Sequence, residues 1–354
     1  MTPTEEPNWD ALNAALNLSG HRLNDEWTVG QRLETDGSFS VAYAVTNAAG
    51  RRGFMKVLDL VSVFGELEEQ RAAIDDYLAE RDLLLLCGQE RMTRVVTALD
   101  HGRVTLEGFF PPLATVYFIV FELADGDMNG TLSDAKSVDV DIRLHLLHDL
   151  AVGLRQLHRR KVAHQDLKPS NMLVFGGDDA RNHGKVADLG RAFQATIQTG
   201  HDAMLIPGDR SYAPPEQLYG FQHSDSMVRR FGADLYQLGS LISYTFTGVT
   251  MNGYLAERLS PEHHWDVYGD GYTEALPYLE NAYSEVLAEL SDRLPVEVAG
   301  DLTAVVEYLC APDCTRRGHP RARLGHGSIY SLERVISALD LAAVRSRIAG
   351  RSAA

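Results

Sequence analysis

The sequence predicts an α+β fold of two lobes, a small antiparallel-sheet lobe followed by a larger, mostly helical one. Three observations predict it. Strand-like segments crowd residues 26–60. Helical spacing of apolar residues dominates beyond residue 140. One stretch, Asp234–Thr247 (DLYQLGSLISYTFT), is apolar on nearly every face, which marks a helix buried at the centre of a sizeable core. A chain of 354 residues suits one large domain or two lobes sharing a cleft.

Residues 1–25 read as an extension, either a short helix with Trp9, Leu12, Leu16 and Leu18 on one face or a frayed tail. Trp27–Leu33 and Phe39–Thr46 flank a turn at Asp36-Gly37-Ser38, a hairpin signal, and Gly53–Leu60 gives a third strand. Glu66–Leu86 has helical spacing through Ala73, Tyr77 and Leu84. Val116–Leu123 is an apolar run of strand length, closing a first lobe at residues 26–123 with a hinge near Leu123–Asp127. The second lobe spans 124–350. It opens with a helix over Val140–Arg160, carrying Ile142, Leu146, Leu150, Leu154 and Leu157. Short strands follow at Lys161–Ala163, Met172–Phe175 and Lys185–Ala187. Then come a loop to Pro215, the central helix, and amphipathic helices over 276–312 and 331–349.

Composition excludes several functions. Hydrophobic residues make up 45% and charged residues 23%, a globular balance. The net charge of −16 argues against nucleic acid or an anionic membrane as partner and weakly favours basic substrates. No apolar run is long enough to span a bilayer, and MTPTEEPNWD lacks a signal-peptide layout, so a cytoplasmic location is expected. Three cysteines, Cys87, Cys310 and Cys314, fit a reducing compartment and offer no zinc-ligand spacing.

The chemistry concentrates in His164-Gln165-Asp166-Leu167-Lys168-Pro169-Ser170-Asn171, with Asp188-Leu189-Gly190 beginning seventeen residues after Asn171. Phosphoryl transfer needs a carboxylate beside the acceptor hydroxyl, a cation at the migrating group, and a carboxylate with an amide to hold Mg²⁺. Asp166, Lys168, Asn171 and Asp188 are those types, placed at the ends of short strands.

With these motifs the chain resembles the eukaryotic-type (Hanks-type) serine/threonine protein kinases from about residue 26 to 318. HQDLKPSN looks like the catalytic loop and DLG like the metal-binding motif. Lys56 in FMKVL looks like the strand-three lysine, and Glu80, with Leu84 four residues later, like its C-helix partner; Glu66, Glu68 and Glu69 are the rivals. Only five of the 33 basic residues are lysines, and Lys56 and Lys168 fall on motif positions. Glu122-Leu123-Ala124 resembles the adenine-receiving hinge, with Phe121 as gatekeeper. GDRSYAPPE, Asp234, and Asp313 with Arg317 resemble later family motifs, Arg317 being the expected partner of Glu216.

The resemblance implies a bilobal protein-kinase fold with a C helix in the first lobe. It also implies ATP and Mg²⁺ as cofactors, Mn²⁺ being an alternative ion, and a protein substrate with a Ser/Thr acceptor. Asp166 and Lys168 become the catalytic pair and Asn171 and Asp188 the metal ligands. Gly37, Ala42, Lys56, Glu80, Phe121, Glu122, Leu123 and Leu173 become the ATP-binding set. His164 is expected to be structural. The arginine-rich composition suggests a soluble bacterial member whose input comes from a cytosolic regulatory partner or ligand.

Four departures stand out. The glycine-rich loop, Thr35–Ser40, keeps only Gly37, and Asp36 adds charge near the phosphates. Phe54 replaces a small residue over adenine while Ala42 replaces a valine, a volume exchange unless Phe54 points into the sheet core. Gln165 replaces the arginine that pairs with activation-loop phosphate, so activity independent of loop phosphorylation is expected. Asp209 replaces a threonine, where it would either pair with Lys168 or repel Asp166. The rival readings are a pseudokinase that binds nucleotide as scaffold or sensor, and a small-molecule kinase on the same fold. Lys168-Pro169 and the PPE segment with Arg317 speak against the latter.

Overall fold

The computed structural model describes residues 13–34, 40–63, 67–109, 111, 113–133, 138–176, 182–197, 199–322 and 328–353. Two compact units divide the chain, one containing the described residues up to Arg91 with Val96–Ala124, the other Met92–Val95 with Asp125 onward.

In the first unit, β1 (Arg22–Leu23), β2 (Trp27–Leu33), β3 (Ser40–Asn47), β4 (Arg52–Leu58), β5 (Ala98–Thr105) and β6 (Thr115–Glu122) form an antiparallel sheet in the order β1-β2-β3-β4-β6-β5. Period-two alternation sends Val41, Tyr43, Val45, Met55, Val57, Phe118 and Val120 into one core with Trp27 and Val29. β5 (ALDHGRVT) was not legible in the sequence. It is an edge strand with little apolar alternation, held by its ladder to β6.

The core also takes in Ala14, Ala15 and Leu18. Of the two readings of this stretch, short helix or frayed tail, the described part shows a single 3₁₀ turn, Ala14–Leu16, with the Asn13 side chain accepting from Ala15 N; Trp9 and Leu12 lie outside the described residues. The buried Asn13 amide donates to Asp59 Oδ1 at 2.9 Å, and Tyr43 Oη donates to Ala15 O at 2.8 Å. The sheet therefore begins upstream of Glu26, at β1.

α1 (Leu67–Gln89) completes this unit. Tyr77, Glu80, Leu84 and Cys87 are all buried, and their spacing of three to four residues puts them on one helical face.

The second unit is mostly helical. It contains β7 (Gly126–Asp127), α2 (Met128–Ser133), α3 (Val140–Arg159), β8 (Val162–Ala163), β9 (Met172–Phe175), β10 (His183–Val186) and β11 (Phe193–Gln194). α4 (Pro215–Leu218), α5 (Ser226–Thr247), α6 (Met251–Arg258), α7 (Tyr272–Arg293), α8 (Ala299–Leu309) and α9 (Glu333–Ala353) follow. The small strands pair antiparallel as β10-β9-β7 and β11-β8. The helix expected over 276–312 is two helices. Leu294 precedes Pro295 and takes an extended ψ of 152°, which ends α7. α5 starts eight residues before Asp234, capped by Asp225, whose side chain accepts from Met227 N. Charged residues in its first two turns hid that start. All three cysteines are free and buried, and burial pushes the Cys87 thiol up to about 12.

Tyr43→Phe removes the hydroxyl that joins residues 15 and 18 to the sheet. Urea unfolding of the first unit should show a loss of about 1–3 kcal/mol, the range for a buried hydrogen-bonding group deprived of its partner.

Candidate active site

Lys56 owes its position to strand alternation. Met55 and Val57 face the core, so Phe54, Lys56 and Leu58 occupy the other face of β4. Lys56 Nζ lies 3.0 Å from both carboxylate oxygens of Glu80. Burial decides among the candidate glutamates: Glu80 is 6% exposed and shares a face with Tyr77 and Leu84, whereas Glu68 and Glu69 are exposed. Glu66 lies outside the described residues. Tyr77 Oη donates to Phe118 O at 2.5 Å, pinning the helix to β6 so that Glu80 is presented to Lys56.

Ala42 pairs with Lys56 across the β3–β4 ladder, and Ala44 pairs with Phe54. Phe54 therefore lies on the lysine face and not in the sheet core. Its ring is 6.4 Å from that of Phe121, its partner on β6, within the range of favourable aromatic pairs. Ala44 opposite gives the ring room. Glu122 closes β6, with Oε1 accepting from Thr97 N at 2.8 Å, and Leu123 follows at 36% exposure. Gly37 and its loop, Thr35–Phe39, lie outside the described residues. In the second unit Leu173 sits on β9 opposite Lys185.

The segment His164–Leu167 hangs on three side chains of α5 spaced at i, i+4 and i+7: Arg230, Asp234 and Gln237. The fully buried Asp234 carboxylate accepts from His164 N (2.8 Å), Gln165 N (2.7 Å) and His158 Nε2 (2.7 Å). Gln237 accepts from Leu167 N and donates to Gln165 O. These bonds hold Gln165 in the left-handed region, at φ 67°, which costs about 1–3 kcal/mol for a residue with a Cβ. His164 Nε2 lies 2.9 Å from Ala187 O, coupling this loop to the strand end that carries Asp188.

Asp166 is surrounded by donors. Oδ1 accepts from Asp209 N at 2.7 Å, and Oδ2 lies 3.1 Å from Lys168 Nζ and from Asn171 Nδ2. The Asp209 carboxylate makes no ion pair with Lys168, whose ion-pair partner is Asp166. It turns away to accept from Ser211 N at 2.8 Å and caps the turn Arg210–Tyr212, leaving its backbone amide to Asp166. Gly208 makes that approach possible. A Cβ there would meet Gln165 O at 2.4 Å and Asp166 Oδ1 at 2.7 Å. Neither neighbour can yield cheaply, because one is backbone and the other is held by three donors.

Asn171 donates through Nδ2 to Asp166 O at 2.8 Å, which turns its amide oxygen to a different direction. Ala187 N donates to Asn171 O at 2.9 Å, so Asn171 and Asp188 are held at adjoining strand ends. Asp188, exposed and left-handed at φ 59°, supplies a carboxylate. One carboxylate and one amide oxygen form a hard, incomplete donor set. It suits an ion that keeps several waters and takes its remaining ligands from phosphate oxygens. Among the described residues no cluster of three His, Cys, Asp or Glu side chains could hold a metal alone.

Sequence reading missed Arg230. Its side chain is 1% exposed, and Nη1 donates to Gln165 Oε1 at 2.5 Å while Nη2 donates to Asp202 O at 2.5 Å. Burial and then neighbouring Arg229 lower its guanidinium below the usual range, against the pull of Asp202 and Asp234. The available signal was its place four residues before Asp234, on the same helical face. Farther along, Glu216 and Arg317 form a buried bidentate pair at 2.6 and 2.5 Å, backed by Tyr236 beneath the guanidinium. Burial alone would lower the Arg317 value, but the Glu216 carboxylate outweighs it and the net shift is upward.

Comparison with known proteins shows the family. The protein kinase domain family model matches residues 32–318. A probable serine/threonine-protein kinase of Dictyostelium discoideum is 31% identical over 43% of this chain and 33% of its own length. An Aurora kinase of Debaryomyces hansenii is 25% identical over 48% of the chain and 39% of its own. Mitogen-activated protein kinase kinase kinase 5 of Arabidopsis thaliana is 25% identical over 66% of the chain and 30% of its own. This chain belongs to the protein kinase domain family, and it spans well under half the length of these curated relatives. No helix among the described residues is long and apolar enough to cross a membrane.

Arg317→Ala leaves the Glu216 carboxylate buried without its cation. Denaturant titration should register a loss of about 3–5 kcal/mol, while the apolar pair Glu216→Leu/Arg317→Met should recover most of it.

Proposed function

We propose that the protein is an ATP- and Mg²⁺-dependent serine/threonine protein kinase that transfers the γ-phosphoryl group to hydroxyls of a protein substrate. The observation that carries this reading is the Asp166 carboxylate, fixed by Asp209 N, Lys168 Nζ and Asn171 Nδ2. A side chain held from three directions is preorganised as the base or orienting group for an incoming hydroxyl. The hydroxyl oxygen bonds to the γ-phosphorus as its proton passes to Asp166. The bond from that phosphorus to the β–γ bridging oxygen breaks, and ADP leaves. Lys168 neutralises charge on the transferred group. Lys56, paired with Glu80, positions the α- and β-phosphates. Asn171 and Asp188 would hold Mg²⁺, which supplies charge neutralisation on the phosphate oxygens. Gly37, Ala42, Phe121, Glu122, Leu123 and Leu173 are assigned to nucleotide recognition.

The alternative reading is a pseudokinase acting as a nucleotide-binding scaffold or sensor, suggested by the altered glycine loop and by Asp209, whose carboxylate accepts from Ser211 N. The charge composition favours a basic protein substrate, and the cytoplasm with a regulatory partner is the setting assigned here.

Asp166→Ala and Asp188→Ala should each reduce autophosphorylation and labelling of a generic basic protein by at least about a thousandfold, roughly 4 kcal/mol in the barrier. Circular dichroism of both variants should match the parent. Parental rates in either variant would overturn the assignment.

We also assign activity without activation-loop phosphate. Both ends of the Gln165 amide are engaged, Nε2 with Arg191 O and Oε1 with Arg230, and a neutral amide adds little to phosphate binding. Initial rates of phosphatase-treated protein, untreated protein and a Thr196→Ala/Thr199→Ala variant should agree within about threefold; a loss of about tenfold or more would refute this.

A further inference from the structure

Arg230 is a buried cation whose position the catalytic scheme above does not explain. Its guanidinium joins three stretches distant in sequence: Gln165, next to Asp166; Phe193, whose ring lies 5.3 Å below it; and Asp202. Desolvating an arginine costs several kcal/mol and is offset only by good polar partners. Here these are the Gln165 amide oxygen, the Asp202 carbonyl and, at 3.9 Å, the Asp202 carboxylate.

That carboxylate has a second function. Its Oδ2 accepts from Thr199 N at 3.0 Å, folding the turn Gly200–Ala203 back on itself. A single ionic contact thus spans from the helix carrying Asp234 to the segment that, at Asp209, reaches back to Asp166.

Residue 165 must be neutral for this arrangement. Its amide donates to Arg191 O with one end and accepts from Arg230 with the other. A second guanidinium at 165 would face the first within a few ångströms in a low-dielectric site, a repulsion of several kcal/mol.

We propose that Arg230 is a positioning residue that locks the segment 199–212 to the catalytic loop, and that Asp202 is the anion built into that segment for it. This rests on the kinase reading for its effect on rate, but not for its effect on order. It deepens that reading by naming what replaces the loop phosphate: a carboxylate encoded in the chain, met by a cation delivered from α5.

The test uses the full chain as Arg230→Gln, Gln165→Arg, the double exchange and Asp202→Asn, the last on a partly exposed residue that leaves α5 untouched. Hydrogen exchange of 199–212 reads order, and autophosphorylation reads rate. Arg230→Gln should speed exchange there by about tenfold or more and lower kcat by a similar factor. KM for ATP should stay within about twofold and protection of α7 and α8 should be unchanged, which separates positioning from general destabilisation. Asp202→Asn should act in the same direction. Gln165→Arg alone should also impair. The double exchange, which returns one cation and one amide to the pair, should restore both readouts to within about threefold of the parent. Parental exchange in Arg230→Gln and Asp202→Asn, or a double exchange no better than the worse single variant, would overturn the inference. An inactive parent would instead overturn the kinase reading, with the exchange data still deciding this one.

Discussion

The second unit depends on one buried carboxylate. Asp234 has no solvent exposure, yet it accepts three hydrogen bonds, two of them from consecutive backbone amides of the loop that carries Asp166. An unpaired carboxylate at that depth would cost several kcal/mol, so the loop amides and His158 must stay where they are for the helix to remain buried. The constraint runs both ways. The loop cannot relax from its left-handed turn at Gln165 without stranding Asp234, and Asp234 cannot leave because it is part of a helix that is buried along most of its length. The geometry around Asp166 is therefore inherited from the core. Gly208 and Asp209 add the last donor from the far side, through backbone atoms that side-chain substitution cannot directly alter.

How much of this the sequence disclosed depended on the kind of signal. Trp27–Leu33 and Met172–Phe175 alternate or run apolar within clear turn boundaries, and those strands fall where periodicity put them. Asp166, Lys168, Asn171 and Asp188 drew attention as residue types that phosphoryl transfer needs, and Lys56 and Glu80 through their resemblance to family motifs; of the latter two, Lys56 Nζ lies 3.0 Å from the Glu80 carboxylate. Arg230 was hidden because an arginine at the start of an apolar helix reads as solvated, and only its contacts with Gln165 and Asp202 distinguish it. Asp209 was left open for a related reason. Side-chain charge suggested Lys168 or Asp166 as its counterpart, but a short polar residue before a turn is more cheaply satisfied by the turn's own amide. The helix over 276–312 divided because Pro295 constrains the residue before it more strongly than apolar spacing favours continuation.

The buried arginines Arg317 and Arg230 illustrate different uses of charge. Glu216 and Arg317 satisfy each other in bidentate geometry, and the surrounding Ala311 and Gly232 carbonyls take up further donors of the guanidinium. Such a pair is self-contained. Arg230 is less completely matched, with its Nε lacking a partner among the described residues and its carboxylate neighbour at 3.9 Å. A pair of that kind leaves part of its desolvation cost unrecovered, which makes it responsive to changes in the chain around it.

The N-terminal segment has a consequence for how this protein should be divided and compared. The family match starts at residue 32, but the sheet's hydrophobic core already includes Ala14, Leu18, Leu23 and Trp27, and the Asn13–Asp59 bond crosses it. Recombinant fragments cut at the family boundary would lose one whole strand, most of another and a capping layer, so low solubility of such a fragment would report the cut and not the protein. The physical module is longer than the inherited signature by which it is recognised, and chimaeras that exchange its first unit should take their junction upstream of Asn13.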